Sequence, residues 1–173
     1  PDPSIASEEV TAITIKLDGR YYALGCNDFV CPDGVDYLKC ENEVQLLKRF
    51  LDLWILADPD IITGWSVKFF DIPYLVNRIS RLLGEKAMAT LSPWGRVSLR
   101  TNTVMGREKS FYDILGVSTL DYIELYRKFA PGGASQESYK LNHIANIEVG
   151  EKKISYEEYD NLHQLYRLNY QKF

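Results

Sequence analysis

The stretch PDIITGWSVKFFDIPYLVNRI, residues 59–79, sets one carboxylate, Asp71, between a short apolar run and an amphipathic run. An aspartate at such a strand-to-helix junction has two uses. It is among the most favoured helix N-caps, because its side chain accepts hydrogen bonds from the first-turn amides that have no partner within the helix. The same junction is where α/β folds place functional groups, since the chain leaves the sheet there and its end faces solvent. Pattern alone favours the cap, and a chemical role needs support from the residues around it.

Other residue types able to do chemistry are sparse. Cys26, Cys31 and Cys40 follow a C-x4-C-x8-C spacing with no histidine nearby, the two histidines being His143 and His163. That spacing argues against zinc and for reduced, partly buried thiols. The formal charge of −4 and a pI near 5.3 exclude a broad basic surface that would hold duplex DNA by phosphate neutralisation, so any nucleic-acid contact must be local. No apolar run reaches the roughly 18–20 residues of a membrane span, and no leader opens the chain, so an intracellular, cytoplasmic protein is expected. The 173 residues, 46% hydrophobic and 25% charged, suit one domain with a packed core.

The elements that must position Asp71 follow from periodicity. VTAITIKL alternates Ile13, Ile15 and Leu17 and meets YYAL across Asp18-Gly19, a hairpin signal. ENEVQLLKRFLDLWILA repeats apolar residues at helical spacing until the breaker DPD. DIITGW then reads as a strand. DIPYLVNRISRLLG reads as a helix with Asp71 as cap, Pro73 in the first turn and Gly84 as stop. Residues 97–117 read as strands around a projecting hairpin with bends at Gly106 and Gly116. DYIELYRKFA and ESYKLNHIANI read as helices separated by PGGASQ, with Asp121 read as a further N-cap in preference to a further acid of the site. A capping-box pair, Ser155 and Glu158, predicts a last helix from residue 155 onward. The order of strands and helices implies an α/β layer of mixed strand direction. The chain opens on Pro1 and stops at Phe173 inside a helical pattern, which suggests a fragment of a longer protein.

Taken together, Gly64, Trp65, Ser66, Phe70, Asp71, Pro73, Tyr74, Asn77 and Arg78 resemble the second exonuclease motif of family B DNA polymerases. LSPWGRV, GVSTLDYIELYRKF and SYKLNHIA resemble further segments of the polymerases of T-even phages, so the likeness runs through nearly the whole chain. The resemblance implies an RNase H-like exonuclease fold, a mixed sheet flanked by helices, here with its first strand and last catalytic helix truncated. It implies the 3′-to-5′ proofreading domain of a DNA-directed DNA polymerase, which hydrolyses a mispaired primer 3′ end with two Mg²⁺ or Mn²⁺ ions about 4 Å apart. Hard oxygen ligands suit such ions, and Asp71 matches the metal ligand of the second motif. No Asp-x-Glu pair of the first motif occurs in this sequence, and the Tyr-x-x-x-Asp of the third is expected to begin shortly after NYQKF, outside it. With most of the ligand set missing, the chain alone is expected to bind no metal pair and to be inactive, although its parent is an enzyme.

The resemblance further implies contacts with the single-stranded primer end and with primer-template DNA. Phe70 would stack near the terminal nucleotide, or else fill the core. Ser66 stands where many relatives carry asparagine. Lys153 aligns with a lysine near the scissile phosphate, although Lys152 leaves the register ambiguous. Arg107 lies at the tip of the hairpin that helps part primer from template. Partners would be the remaining polymerase domains and, through them, a sliding clamp, in the cytoplasm of an infected bacterium if the source is a phage. A different class stays open: a catalytically inactive RNase H-like module serving as a structural or interaction domain. A stand-alone nuclease of the same fold is a third reading, which the long hairpin argues against.

Overall fold

Residues 1–104, 106–130 and 136–173 are described by a computed structural model; the side chains of Val104 and Arg107 lie outside the described part, as do residues 131–135 of the expected PGGASQ connection. β1 (Ala12–Leu17) and β2 (Arg20–Gly25) form the expected antiparallel hairpin, with Asp18 and Gly19 both at positive φ, 49° and 83°. That is the geometry of a two-residue turn whose twist matches its strands. β3 (Val35–Lys39) lies parallel to β2 and completes a three-stranded sheet in the order β1-β2-β3.

α1 (Glu43–Ala57) starts at Asn42, whose side chain accepts from the Gln45 amide at 3.0 Å while the Gln45 side chain returns to the Glu41 amide at 2.7 Å. This reciprocal cap fixes where the helix begins. Its apolar stripe, Leu46, Leu47, Phe50 and Trp54, enters the core, and the Trp54 indole N–H donates to the Leu91 carbonyl at 2.9 Å. After β4 (Ile61–Gly64), α2 (Asp71–Leu83) packs Ile72, Val76 and Ile79 against α1 and stops at Gly84, as the pattern requires. A short α3 (Glu85–Ala89) follows. β5 (Val97–Val104) and β6 (Arg107–Ile114) pair antiparallel as a hairpin, and β7 (Ser118–Asp121) pairs parallel with β4. α4 (Tyr122–Phe129), α5 (Leu141–Val149) and α6 (Leu162–Leu168) complete the chain. Mixed sheets flanked by helices are thus the architecture.

Two expectations need correction. The last helix does not start at Ser155: α6 begins at Leu162, because Asn161 and Gln164 form a later cap, the Asn161 side chain accepting from the Gln164 amide at 2.9 Å and Gln164 from the Asp160 amide at 2.7 Å. Asp71 does not cap α2. It is the first helical residue, the cap position belongs to Phe70, and no side chain makes a capping hydrogen bond there.

The polar residues of α2 do something the sequence did not suggest. Tyr74, Asn77 and Arg78, at i, i+3 and i+4, share one helix face, and that face grips the segment leading into β1. The Tyr74 hydroxyl donates to the Glu8 carbonyl (2.8 Å), the Asn77 amide to the Pro3 carbonyl (2.9 Å), and Arg78 to the Ala6 and Ser7 carbonyls (3.1 and 3.0 Å). Arg78 also pairs bidentately with buried Glu43 of α1, at 2.7 and 2.6 Å, and Glu43 accepts from the Val10 amide at 2.7 Å. Glu43 raises the already high pKa of the guanidinium further by hydrogen bonding, outweighing the desolvation that opposes it. No membrane-spanning helix, by length and apolarity, occurs among the described residues.

Candidate active site

The site is built at the shared end of β4 and β7, where Gly64 lies opposite Asp121 in the parallel register. The chain turns sharply after Gly64; a Cβ there would stand 3.2 Å from the Val67 Cβ, so only glycine fits without displacement. Ser66 adopts left-handed backbone with φ 66°. Asparagine tolerates that conformation better than most residues, and this explains on local grounds why asparagine suits the position.

The loop from residue 65 to residue 70 is held from both sides. Trp65 is anchored to α4 and the segment beyond it, its indole N–H donating to the Tyr139 carbonyl at 3.2 Å and its ring tilted against Tyr122 and Tyr126 of α4. Lys68 pairs with Glu124 of α4 at 3.1 Å, and its ammonium sits 5.0 Å from the Phe111 ring centre on β6. Phe69 meets Phe111 edge-on at 6.0 Å, and the Tyr112 hydroxyl donates to Asn77 at 2.6 Å, so the hairpin base is tied both to the loop and to α2.

Phe70 and Asp71 emerge from this loop into a groove of about 940 Å³. Every residue of β1 and of β4 lines it, Phe50 and Trp54 of α1 contribute from one side, and Tyr166 and Phe173 from the α6 end. Among the described residues β1 pairs only with β2 and β4 only with β7, so each strand turns an unpaired edge toward the groove. Phe70 is 39% exposed and stacks at 26° to Tyr74, with the ring centres 6.2 Å apart.

Asp71 is exposed within this concave, largely apolar setting. Desolvation by the surrounding walls raises its pKa most, the charge of Asp121 adds to the rise, and a hydrogen bond with its own backbone N–H opposes it. Asp121 is different in kind. It is 1% exposed, caps α4 as expected by accepting from the Ile123 amide at 3.1 Å, and also accepts from the amides of Ser66 and Lys68. Sequence reasoning found the cap and missed the other two bonds, since nothing local links residues 66 and 121.

The remaining expected residues do not join Phe70 and Asp71 along the groove. Ser66 sits one position from lining residues Trp65 and Val67. Exposed Lys153 donates its backbone N–H to the Asn142 side chain at 2.7 Å, while the neighbouring Lys152 lines a separate hollow of about 280 Å³ with Lys140 and His143. Arg107 begins β6 opposite Val104, at the hairpin end, and its side chain is outside the described part. Among the described residues no three His, Cys, Asp or Glu side chains converge on a point where a metal could sit. With the Asp121 oxygens engaged by amides and Glu124 paired with Lys68, Asp71 is, among the described residues, the carboxylate at the loop left to ligate, which does not fit a complete two-metal set.

The family described as DNA polymerase family B, exonuclease domain, matches residues 1–144. The DNA-directed DNA polymerase of Enterobacteria phage T4 is 33% identical over 201 aligned positions that cover the whole chain and 22% of that protein. The DNA-directed DNA polymerase of Escherichia phage RB69 is 35% identical over 185, covering 91% of the chain and 20% of that protein. The DNA polymerase delta catalytic subunit of Arabidopsis thaliana is 29% identical over 126, covering 69% of the chain. The chain thus spans about a fifth of the length of the two phage relatives.

Proposed function

Because this chain belongs to the exonuclease domain of family B DNA polymerases, we propose that it is the proofreading part of such a polymerase, removing a mispaired nucleotide from a primer 3′ end as a deoxynucleoside monophosphate. One observation carries the reading: the Asp71 carboxylate opens α2 without capping it and faces a groove bounded by two unpaired strand edges. A helix start whose acid makes no cap bond forgoes about 0.5–2 kcal/mol of available stabilisation, and a role for that acid as a ligand gives the arrangement a purpose.

In this reading Asp71 lends an oxygen to a divalent cation, Mg²⁺ or Mn²⁺, and the other ligands come from segments of the polymerase outside this chain. Such an ion, when bound, lowers the pKa of water and offsets charge on the leaving oxygen. The chain's own residues orient and exclude. Phe70, exposed beside Asp71 and backed by Tyr74, offers a ring on which a terminal base stacks irrespective of its identity. The apolar groove supports the idea of a further strand of the polymerase between β1 and β4, since unpaired edges recruit one.

The test uses a full-length polymerase carrying this domain. Asp71→Ala should slow release of 3′-terminal nucleotides by orders of magnitude while nucleotide addition continues. The 173-residue chain alone should show no Asp71-dependent degradation of labelled single-stranded DNA with Mg²⁺. Undiminished editing in the Asp71→Ala polymerase would instead favour the inactive structural module.

A further inference from the structure

We propose that Asp121 is a positioning residue for the exonuclease site: a buried carboxylate that, by holding the amides of Ser66 and Lys68, sets the shape of the loop delivering Phe70 and Asp71 to the groove. The inference rests on the reading of Asp71 as the metal-binding acid and adds a second acid that never touches metal or DNA.

An N-cap needs one oxygen. Asp121 uses Oδ1 for the Ile123 amide of α4, at 3.1 Å, and that bond alone would satisfy the capping role. The same oxygen also accepts from the Ser66 amide at 3.0 Å, and Oδ2 accepts from the Lys68 amide at 3.1 Å, more than 50 residues away in sequence. Two amides two residues apart converge on one carboxylate only when the chain between them is bent, and the bend is the left-handed Ser66. Such a concave run of N–H groups is a natural anion seat. Here the anion is a side chain of the protein.

The carboxylate is 1% exposed, and no cation among the described residues pairs with it. Backbone amides alone hold its charge, so a shift of the loop would leave a buried anion short of partners, at substantial cost. The penalty restrains the loop. Residues 66 and 68 lie three to five positions before Asp71, with Lys68–Glu124 as a second strut to α4. A misplacement on the order of 1 Å at a reacting group can lower a rate by about 100-fold, so the rigidity of this connection bears on the reaction.

Two substitutions in the full-length polymerase separate the clamp from the cap. Asp121→Ser keeps a side chain able to cap Ile123 but too short to hold the Lys68 amide as well. Asp121→Asn keeps the Oδ1 acceptor and turns an amide donor toward Lys68 N–H. Each should lower the exonuclease rate about 10- to 100-fold, leave nucleotide addition unchanged, and raise the Mg²⁺ concentration for half-maximal editing, with excess Mg²⁺ restoring part of the rate. Hydrogen–deuterium exchange should quicken over residues 65–70 and remain slow over α1. Asp71→Ala, run in parallel, should not respond to added Mg²⁺.

Wild-type editing by Asp121→Ser would overturn the proposal and reduce Asp121 to a cap. Faster exchange in α1 as well, with an unchanged Mg²⁺ midpoint, would make it a folding residue and overturn the proposal equally. If Asp71→Ala itself edits normally, the underlying reading of the site fails, and the two failures are thereby told apart.

Discussion

The two ends of polar chemistry on α2 are treated in opposite ways. Along its face, Tyr74, Asn77 and Arg78 satisfy carbonyls of residues 3–8, and Arg78 closes a buried ion pair with Glu43 in which each side chain is only 10% exposed. At its first residue, Asp71 makes no cap bond, follows a left-handed Ser66 and faces an open groove. The first region converts motif residues into stability. The second accepts local cost and leaves an acid free. In this chain the stretch thus divides into residues that clasp the segment before β1 and one acid left facing the groove, and only the structure separates them.

The sharpest way to break this contrast is to remove the clasp. Arg78→Ala should destabilise the 173-residue chain by about 3–5 kcal/mol, because Glu43 is left buried without its partner and two carbonyls lose a donor. Urea unfolding followed by circular dichroism measures it. Replacing both partners, Arg78→Met with Glu43→Leu, should cost markedly less, since no lone charge remains. A loss below about 1 kcal/mol for Arg78→Ala would mean the clasp is ornamental to the fold and the contrast false.

The strain at the other end makes a smaller prediction. Ser66→Gly removes the Cβ that disfavours left-handed backbone and keeps the amide that Asp121 holds, so the chain should gain up to about 1 kcal/mol in the same unfolding experiment, offset in part by the greater freedom of glycine in the unfolded chain. Tyr112→Phe, which deletes the hydroxyl donated to Asn77 at 2.6 Å, should cost about 0.5–1.5 kcal/mol. If Ser66→Gly destabilises by more than Tyr112→Phe, the loop is not strained as its φ indicates.

Much of this was legible beforehand, for reasons that are physical. The β1–β2 hairpin, α1, α2 and the β5–β6 hairpin each carry their own signal in periodicity and in a turn or stop residue, so local rules suffice. β3 was missed because VDYLK is short and half-buried, with only Val35, Tyr37 and Leu38 shielded; its pairing with β2 supplies the order that its own pattern lacks. The start of α6 was misplaced because Ser155-Glu158 and Asn161-Gln164 offer competing caps, and only the latter forms. At the site, the Asp71 junction was visible from residue types. The roles of Asp121 in the loop and of Glu43 and Arg78 were not, because each depends on partners 33 or more residues distant, and no rule of spacing along the chain encodes a contact between elements so far apart.

The subtlest effect falls on Asp71 itself. Desolvation by the groove, reinforced by Asp121, raises its pKa in the folded chain above the ordinary carboxylate value of the unfolded one. The folded state therefore binds the proton more tightly, and stability falls as pH rises from the ordinary carboxylate range through the raised value. At neutral pH the ionised acid weakens the fold, and below both values it costs nothing. Asp71→Asn should accordingly be more stable than the parent at pH 7 and indistinguishable from it near pH 3, a difference read as a urea midpoint that separates only on the alkaline side. The same variant abolishes editing in the polymerase if Asp71 is the metal ligand. A residue whose removal strengthens the fold and silences the reaction is held in place by chemistry, whereas one whose removal weakens both belongs with Arg78, and that outcome would merge the two regions the structure keeps apart.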